Sequence, residues 1–237
     1  MCLLLAVRDL EASRLWVAAN RDERLSRPWR PPALIFHDPP VFGGLDLEGG
    51  GTWLAVNLAA GYVVGVTNAR LGARPGRRSR GQLVHDAAAQ ATLADAVALL
   101  AEVDVDSYGP FNLLLADSAA AFVATNYPEA RIEPVGGQLV ALGNEMLGRE
   151  SPRTQKAVRE LGLALHGGDG DLIPSLSQLL ADHEGADPFC RHRGPFGTVC
   201  STICELRGRA VRSYFFAAGP PCQTPFEPLS LPPLSYS

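Results

Sequence analysis

Leu3-Leu4-Leu5-Ala6-Val7 and Leu15-Trp16-Val17-Ala18-Ala19 are apolar at every position, and polar residues from Arg8 to Arg14 separate them. A strand with one solvated face alternates apolar and polar, so two unbroken apolar runs read as paired strands covered on both faces. The pattern recurs. Trp53-Leu54-Ala55-Val56-Asn57 turns through Ala59-Ala60-Gly61 into Tyr62-Val63-Val64-Gly65-Val66-Thr67. Phe111-Asn112-Leu113-Leu114-Leu115-Ala116 is followed by Ala121-Phe122-Val123-Ala124-Thr125, and a last pair over 199–206 and 210–216 turns at Gly208. Leu139-Val140-Ala141-Leu142-Gly143 is a further strand, ending at Asn144.

Between the hairpins lie helical patterns. One starts at Ser79, one runs over 93–103 behind the N-cap Thr92, one over 153–165 behind Ser151-Pro152, and a short one over 173–180. Ser and Thr cap helices by accepting an orphan N–H, and proline suits the first turn. Hairpins imply antiparallel sheets, and doubly apolar strands imply cover on each side. The expected fold class is α+β, a four-layer αββα sandwich of two antiparallel sheets; a single sheet with helices on one side is the other solution. The chain has 237 residues and reads as one domain, 1–237, with a proline-rich extended tail from about 220. The stretch 27–40 reads as irregular, and the glycines from Gly43 to Gly51 as flanking a loop. Residues 71–78 read as a basic surface loop, and 167–171 as another loop.

A net charge of −4 offers nothing to nucleic acid or to an anionic membrane surface. No run approaches a membrane span, and the apolar start lacks the basic flank and length of a secretory signal, so the expected location is cytoplasmic. Five cysteines, Cys2, Cys190, Cys200, Cys204 and Cys222, show no framework spacing and read as reduced. Cys200 and Cys204, four apart on a strand, are separated by about 13 Å, too far for a disulfide. Cys190, His192 and Cys200 match no standard zinc spacing, so no metal site is expected. The five histidines are scattered and suggest no Cys–His dyad.

Cys2 is the candidate nucleophile. Methionine aminopeptidase accepts Met-Cys, and removal of Met1 would leave a thiol and a free α-amine on one residue. Their ordinary pKa values, about 8.5 and about 8, allow the amine to serve as the base for its own thiol. The alternative for Cys2 is a small buried strand residue. Asn20-Arg21-Asp22-Glu23 closes the second strand. Strand alternation puts Asn20 and Asp22 on one face and Arg21 on the other, unless the strand bends. A charged turn with an internal ion pair is the plain reading of this tetrad. Asn144 is either a turn former or an amide donor for an oxyanion.

These motifs, with Gly51-Thr52-Trp53-Leu54-Ala55, Thr67-Asn68, Ser79-Arg80-Gly81, Phe111-Asn112-Leu113 and Leu142-Gly143-Asn144, follow the order seen in the NRDE family, also called the transport and Golgi organization 2 family. The resemblance covers the chain to about Phe216. That family in turn resembles N-terminal nucleophile (Ntn) hydrolases of the choloylglycine hydrolase and penicillin V acylase type, which are αββα sandwiches that cleave amides. The resemblance implies Cys2 as nucleophile, Asp22 orienting its amine, and Asn68 and Asn144 as oxyanion donors. Asn20, Arg21 and Trp53 are expected to bind the ligand. The acylases carry an arginine three residues before the aspartate, where this chain has Ala19, and Arg21 is the nearby substitute. The implied function is a cysteine amidohydrolase on small carbon–nitrogen bonds, with a small-molecule substrate and no cofactor. The alternative is a non-catalytic binding or trafficking protein for haem, lipid or acyl-coenzyme A.

Overall fold

The computed structural model describes residues 2–69, 76–167 and 170–233. Met1, much of the loop at 71–78 and part of that at 167–171 therefore lie outside the described residues. The chain opens with the hairpin β1 (Leu3–Asp9) and β2 (Arg14–Arg24). It continues through β3 (Trp29–His37), β4 (Pro40–Asp46), β5 (Leu54–Asn57) and β6 (Tyr62–Asn68). The helices α1 (Arg80–Ala88) and α2 (Leu93–Glu102) precede β7 (Phe111–Ala116), β8 (Ala121–Thr125), β9 (Arg131–Pro134) and β10 (Leu139–Leu142). Then come α3 (Pro152–Gly167), α4 (Ile173–Ala181), β11 (His192–Arg193), β12 (Phe196–Arg207), β13 (Ala210–Ala217) and β14 (Glu227–Pro228).

Two antiparallel sheets result. One runs β10-β1-β2-β12-β13-β14, with β11 on β12; the other runs β3 to β9 in chain order. Leu4, Ala6, Leu15 and Val17 of the first sheet meet Phe42, Leu54, Val63 and Leu114 of the second, and this core lies between the sheets. The outer face of the first sheet (Leu3, Leu5, Trp16, Ala18) packs on Leu161, Leu176 and Leu180 of α3 and α4. That of the second (Ala55, Val64, Leu113) packs on Leu83, Ala87 and Ala96 of α1 and α2. The layer order is αββα. It explains why β1 and β2 lack alternation: both of their faces are dry, and each buried Leu contributes about 1.5–3 kcal/mol.

The helices start where the caps predict. Ser79 Oγ accepts from Gly81 N, and Thr92 Oγ1 accepts from Asp95 N at 3.1 Å. Among the described residues, no helix is long and apolar enough to cross a membrane.

Three readings are corrected. The stretch 27–40 is not irregular, because β3 and the start of β4 occupy it. β3 is an edge strand whose register shifts between Arg30 and Ala33, which accommodates Pro31 and Pro32 without a missing ladder bond. The tetrad does not close β2 but lies inside it. The tail is only partly extended: it makes a turn around Cys222 and then pairs Glu227 with Phe216.

Candidate functional site

The site arises where β2 outruns β1. Leu3 pairs with Asn20, so Arg21, Asp22, Glu23 and Arg24 have a ladder partner on one side only, β12. Cys2, half-buried, stands at the head of β1 beside that overhang. A cleft of about 530 Å³ opens there, lined by Cys2, Arg21, Asp22, Trp53, Asn68 and Arg80 among others. A cavity of similar volume, about 540 Å³, lies between the β10 edge and α3 but contains none of these groups.

Alternation along β2 sorts the tetrad. Asn20 points into the helix layer and is fully buried. Its Nδ2 donates to the carbonyls of Leu180 and Phe189, both at 2.9 Å, and its Oδ1 accepts from Ser201 Oγ. It thus ties α4 to the sheet and does not line the cleft, contrary to its expected binding role. Arg21 takes the opposite face, toward the second sheet. Its Nη2 donates to Asp46 Oδ2 at 3.2 Å, and its guanidinium lies 4.5 Å from the centre of the Trp53 ring. No break in β2 is needed to bring it there. The irregularity lies in the partner strand instead, between Thr198 and Cys200 of β12.

Asp22 shares the face of Asn20 and is 2% exposed. Its Oδ1 accepts from Thr198 Oγ1 at 2.7 Å; its Oδ2 lies 3.5 Å from Arg153 Nη1 and 3.9 Å from Arg191 Nε. Burial raises the Asp22 carboxyl above the usual carboxylate range, opposed by the Thr198 hydroxyl and the two guanidinium groups. Arg153 Nη2 also donates to the Cys2 carbonyl at 3.3 Å, so one arginine holds both the carboxylate and the candidate nucleophile's backbone.

Asn68 ends β6 and is partly exposed to the cleft. Asn144 is buried behind it, and its Nδ2 donates to the Asn68 carbonyl at 2.6 Å. Of the two residues expected as oxyanion donors, Asn68 lines the cleft and Asn144 is hydrogen-bonded to its backbone.

The wall of the cleft is assembled from three motifs that are distant in sequence. Gly51 has φ +95° and lies so close to α1 that a Cβ would fall 2.3 Å from the backbone of Gly81, while Thr52 N donates to Gly81 O at 3.1 Å. Gly44 leaves room for the Trp53 indole, because a Cβ there would lie 2.3 Å from the ring. Arg80 Nη1 donates to the Pro110 carbonyl at 3.1 Å, and among the described residues it makes no ion pair with a carboxylate. Burial lowers its pKa, offset in part by the nearby Glu23 carboxylate. Below the rim, Asp46 accepts from Arg27 Nε at 2.8 Å and from Gly49 N at 3.0 Å. Burial pushes the Asp46 carboxyl upward, but these donors and Arg21 outweigh it and leave the pKa depressed.

Sequence reasoning did not single out Arg153, Arg191, Thr198, Asp46 or Arg80 as site residues. Two of them carry a local signal. Arg153 and Arg80 stand in the first turn of α3 and α1, where the helix dipole disfavours a cation. A positive charge at that end points to a partner from elsewhere, and for Arg153 the partner is Asp22.

The family model described as Transport and Golgi organisation 2 matches residues 1–204. The Transport and Golgi organization protein 2 homolog of Bos taurus is 36% identical over 114 residues, 46% of this chain and 41% of that protein. Its Homo sapiens counterpart is 34% identical over 116 residues, again 46% of this chain and 41% of that protein. The match thus spans less than half the length of these curated relatives. Among solved structures, the Caenorhabditis elegans N-acylethanolamine-hydrolyzing acid amidase ortholog superposes with a TM-score of 0.64 at 15% identity, covering 85% of this chain and 92% of that one. At that identity the likeness is one of fold, that of the Ntn hydrolases.

Proposed function

Because this chain belongs to the Transport and Golgi organisation 2 family and has an Ntn-hydrolase-like fold, we propose that it is a cysteine amidohydrolase acting on a small amide. The observation that carries the reading is the placement of Cys2 at the head of a central strand, in one cleft with Asp22 and Asn68, its carbonyl held by the arginine that pairs with Asp22.

In this reading Met1 is removed and the α-amine of Cys2 takes the thiol proton. The sulfur attacks the substrate carbonyl carbon, forming a C–S bond as the carbonyl electron pair moves to oxygen. Asn68 donates to that oxyanion, and Asn144 holds Asn68 in place. Collapse breaks the C–N bond, and the amine leaves with the proton. Water then cleaves the thioester, releasing the acid and restoring the thiol. Asp22, with Arg153 and Arg191, orients the amine. Trp53 and Val66 are apolar groups against which a short acyl chain would lie, with Arg21 stacked on Trp53.

A second reading keeps the cleft and drops turnover: a binding or trafficking protein, with the Cys2 thiol ligating haem. Arg80 favours it, as a guanidinium in the cleft suited to an acidic group such as a propionate.

One experiment separates the two. Intact mass reports whether Cys2 is N-terminal, and incubation with a panel of amides reports whether a mass adduct forms on it. An acyl adduct that Cys2→Ala abolishes supports the hydrolase. Retained Met1 with no adduct, and a haem Soret shift that Cys2→Ala removes, supports the binding protein and overturns the hydrolase.

A further inference from the structure

Outside the residues that line the cleft, the fold gathers two further cysteines and a histidine at one point. Cys190 Sγ lies 3.5 Å from Cys222 Sγ and 3.8 Å from His192 Nε2, and His192 Nε2 lies 3.1 Å from Cys222 Sγ. All three ligand atoms are within 4.8 Å of one another. A tetrahedral zinc ion with Zn–S of about 2.3 Å and Zn–N of about 2.0 Å has an S–S edge of about 3.8 Å and S–N edges of about 3.5 Å. The three atoms lie on a circle of radius about 2.0 Å, so a point about 1 Å above their plane is about 2.3 Å from each, a metal–ligand distance.

The carriers of these side chains are fixed by other bonds. Cys190 N donates to the Asp182 carbonyl just past α4, at 2.8 Å. His192 pairs with Gly197 in the β11–β12 hairpin. Cys222 sits in a turn in which Gln223 N and Thr224 N both donate to Pro220 O, at 2.9 Å. Cys190 is buried, Cys222 partly buried and His192 exposed, which leaves one side of the triangle toward solvent. The triad Cys190, His192 and Cys200 matches no standard zinc spacing, and Cys200 lies buried in β12; the third sulfur at this point is that of Cys222, from the tail.

We propose that Cys190, His192 and Cys222 form a Cys₂His site for a thiophilic divalent metal, zinc first, with the fourth position open to water. Two thiol protons leave to solvent as the ion binds, and soft thiolate ligands with imidazole select such a metal over magnesium or calcium. The ion would clamp the tail to the β11–β12 hairpin. Cys190 and His192 lie within the residues 1–204 matched by the family model and Cys222 lies beyond them, so the matched region holds two of the three ligands.

The test uses the full chain, kept reduced, loaded with Zn²⁺ and separately with Co²⁺. One zinc per chain is expected, with a thiolate-to-cobalt charge-transfer band and the visible spectrum of tetrahedral cobalt. Cys222→Ser and His192→Ala should each weaken zinc binding by more than about 100-fold, beyond the loss typical of outer partners. Cys2→Ala should keep the ion, and zinc should slow proteolysis of the tail in the wild-type chain. The proposal is overturned if reduced wild-type protein retains no zinc, or if both variants bind it as the wild type does. It is equally overturned if Cys190 and Cys222 oxidise to a disulfide as fast with zinc present as without it.

Discussion

Arg153 and Asp22 form a buried pair across two layers of the molecule, Nη1 to Oδ2 at 3.5 Å, with side chains 1% and 0% exposed. The same guanidinium donates to the Cys2 carbonyl. α3 is thereby locked to the overhanging end of β2 at the point where the candidate nucleophile enters its strand.

Removing Arg153 takes the nearer of two guanidinium groups from the buried Asp22 carboxyl and leaves it with Thr198 and Arg191. Breaking a buried pair typically costs about 3–5 kcal/mol, and Arg191 at 3.9 Å supports the lower end of that range. Arg153→Met is expected to lower urea stability by about 3 kcal/mol, and Arg153→Met with Asp22→Asn by less than the sum of the two single changes. Additive losses would show that the pair is not coupled.

Two carboxyls of the site respond to pH in opposite senses. The folded Asp22 carboxyl is raised, so between its unfolded and folded pKa values the folded state holds a proton that the unfolded state has released. Its stabilising contribution is full below about pH 3.9, the unfolded value, and lost as pH rises through the folded value. The folded Asp46 carboxyl is depressed, so its contribution is full above about pH 3.9 and lost as pH falls through the folded value. In urea titrations across pH, Asp22→Asn should remove a decline on the alkaline side of that point and Asp46→Asn a decline on the acid side. Parallel pH profiles for wild type and both variants would contradict both directions.

Gly44 holds the space of the Trp53 indole. Gly44→Ala places a methyl 2.3 Å from the ring, and overpacking of this kind costs about 1–3 kcal/mol. Thermal unfolding should show the loss, and Trp53→Phe in the same chain should recover part of it. An unchanged Tm in Gly44→Ala would mean that the ring moves freely and does not define the wall.

If the hydrolase reading holds, Asn68→Ala should lower kcat by about 10²–10³, the usual effect of deleting one oxyanion donor. Asn144→Ala removes the donor to the Asn68 carbonyl and should cost about 1–3 kcal/mol of stability, with a smaller kinetic effect. A larger kinetic loss from Asn144→Ala than from Asn68→Ala would reverse the two roles.

Alkylation of the native chain by iodoacetamide should reach Cys2 before Cys200 and Cys204. Cys200 and Cys204 are fully buried, and burial pushes both thiols up, that of Cys204 to about 12. Peptide mapping after brief labelling reads the order directly. Labelling of Cys204 ahead of Cys2 would contradict the burial described for β12.

Some of this was legible along the chain because the causes are local. A strand dry on both faces has to be apolar at every step, so 3–7 and 15–19 announced a sandwich without any knowledge of their partners. Ser79, Thr92 and Pro152 announced helix starts because caps act within one turn. The family motifs that carry Cys2, Asp22 and Asn68 were readable along the chain, and the three residues line one cleft; alternation separated Arg21 from Asp22.

What the tertiary structure decided depends on register between distant segments. Thr198 opposite Asp22, and Leu3 as the last β1 residue to pair with β2, are what create the overhang and open the cleft. Local propensity does not encode which of many apolar strands align, or how far one outruns another. Asn20 was expected at the site because it shares a motif with Arg21 and Asp22, which line the cleft, yet its own side chain meets α4 and its amide is spent on Leu180 and Phe189. Arg153, 131 residues along the chain from Asp22, and Cys222, 32 from Cys190, reach their partners only through the stacking of layers and the return of the tail. Charges and thiols act over a few ångströms in space, and the chain brings those atoms within range only once its apolar faces have been buried.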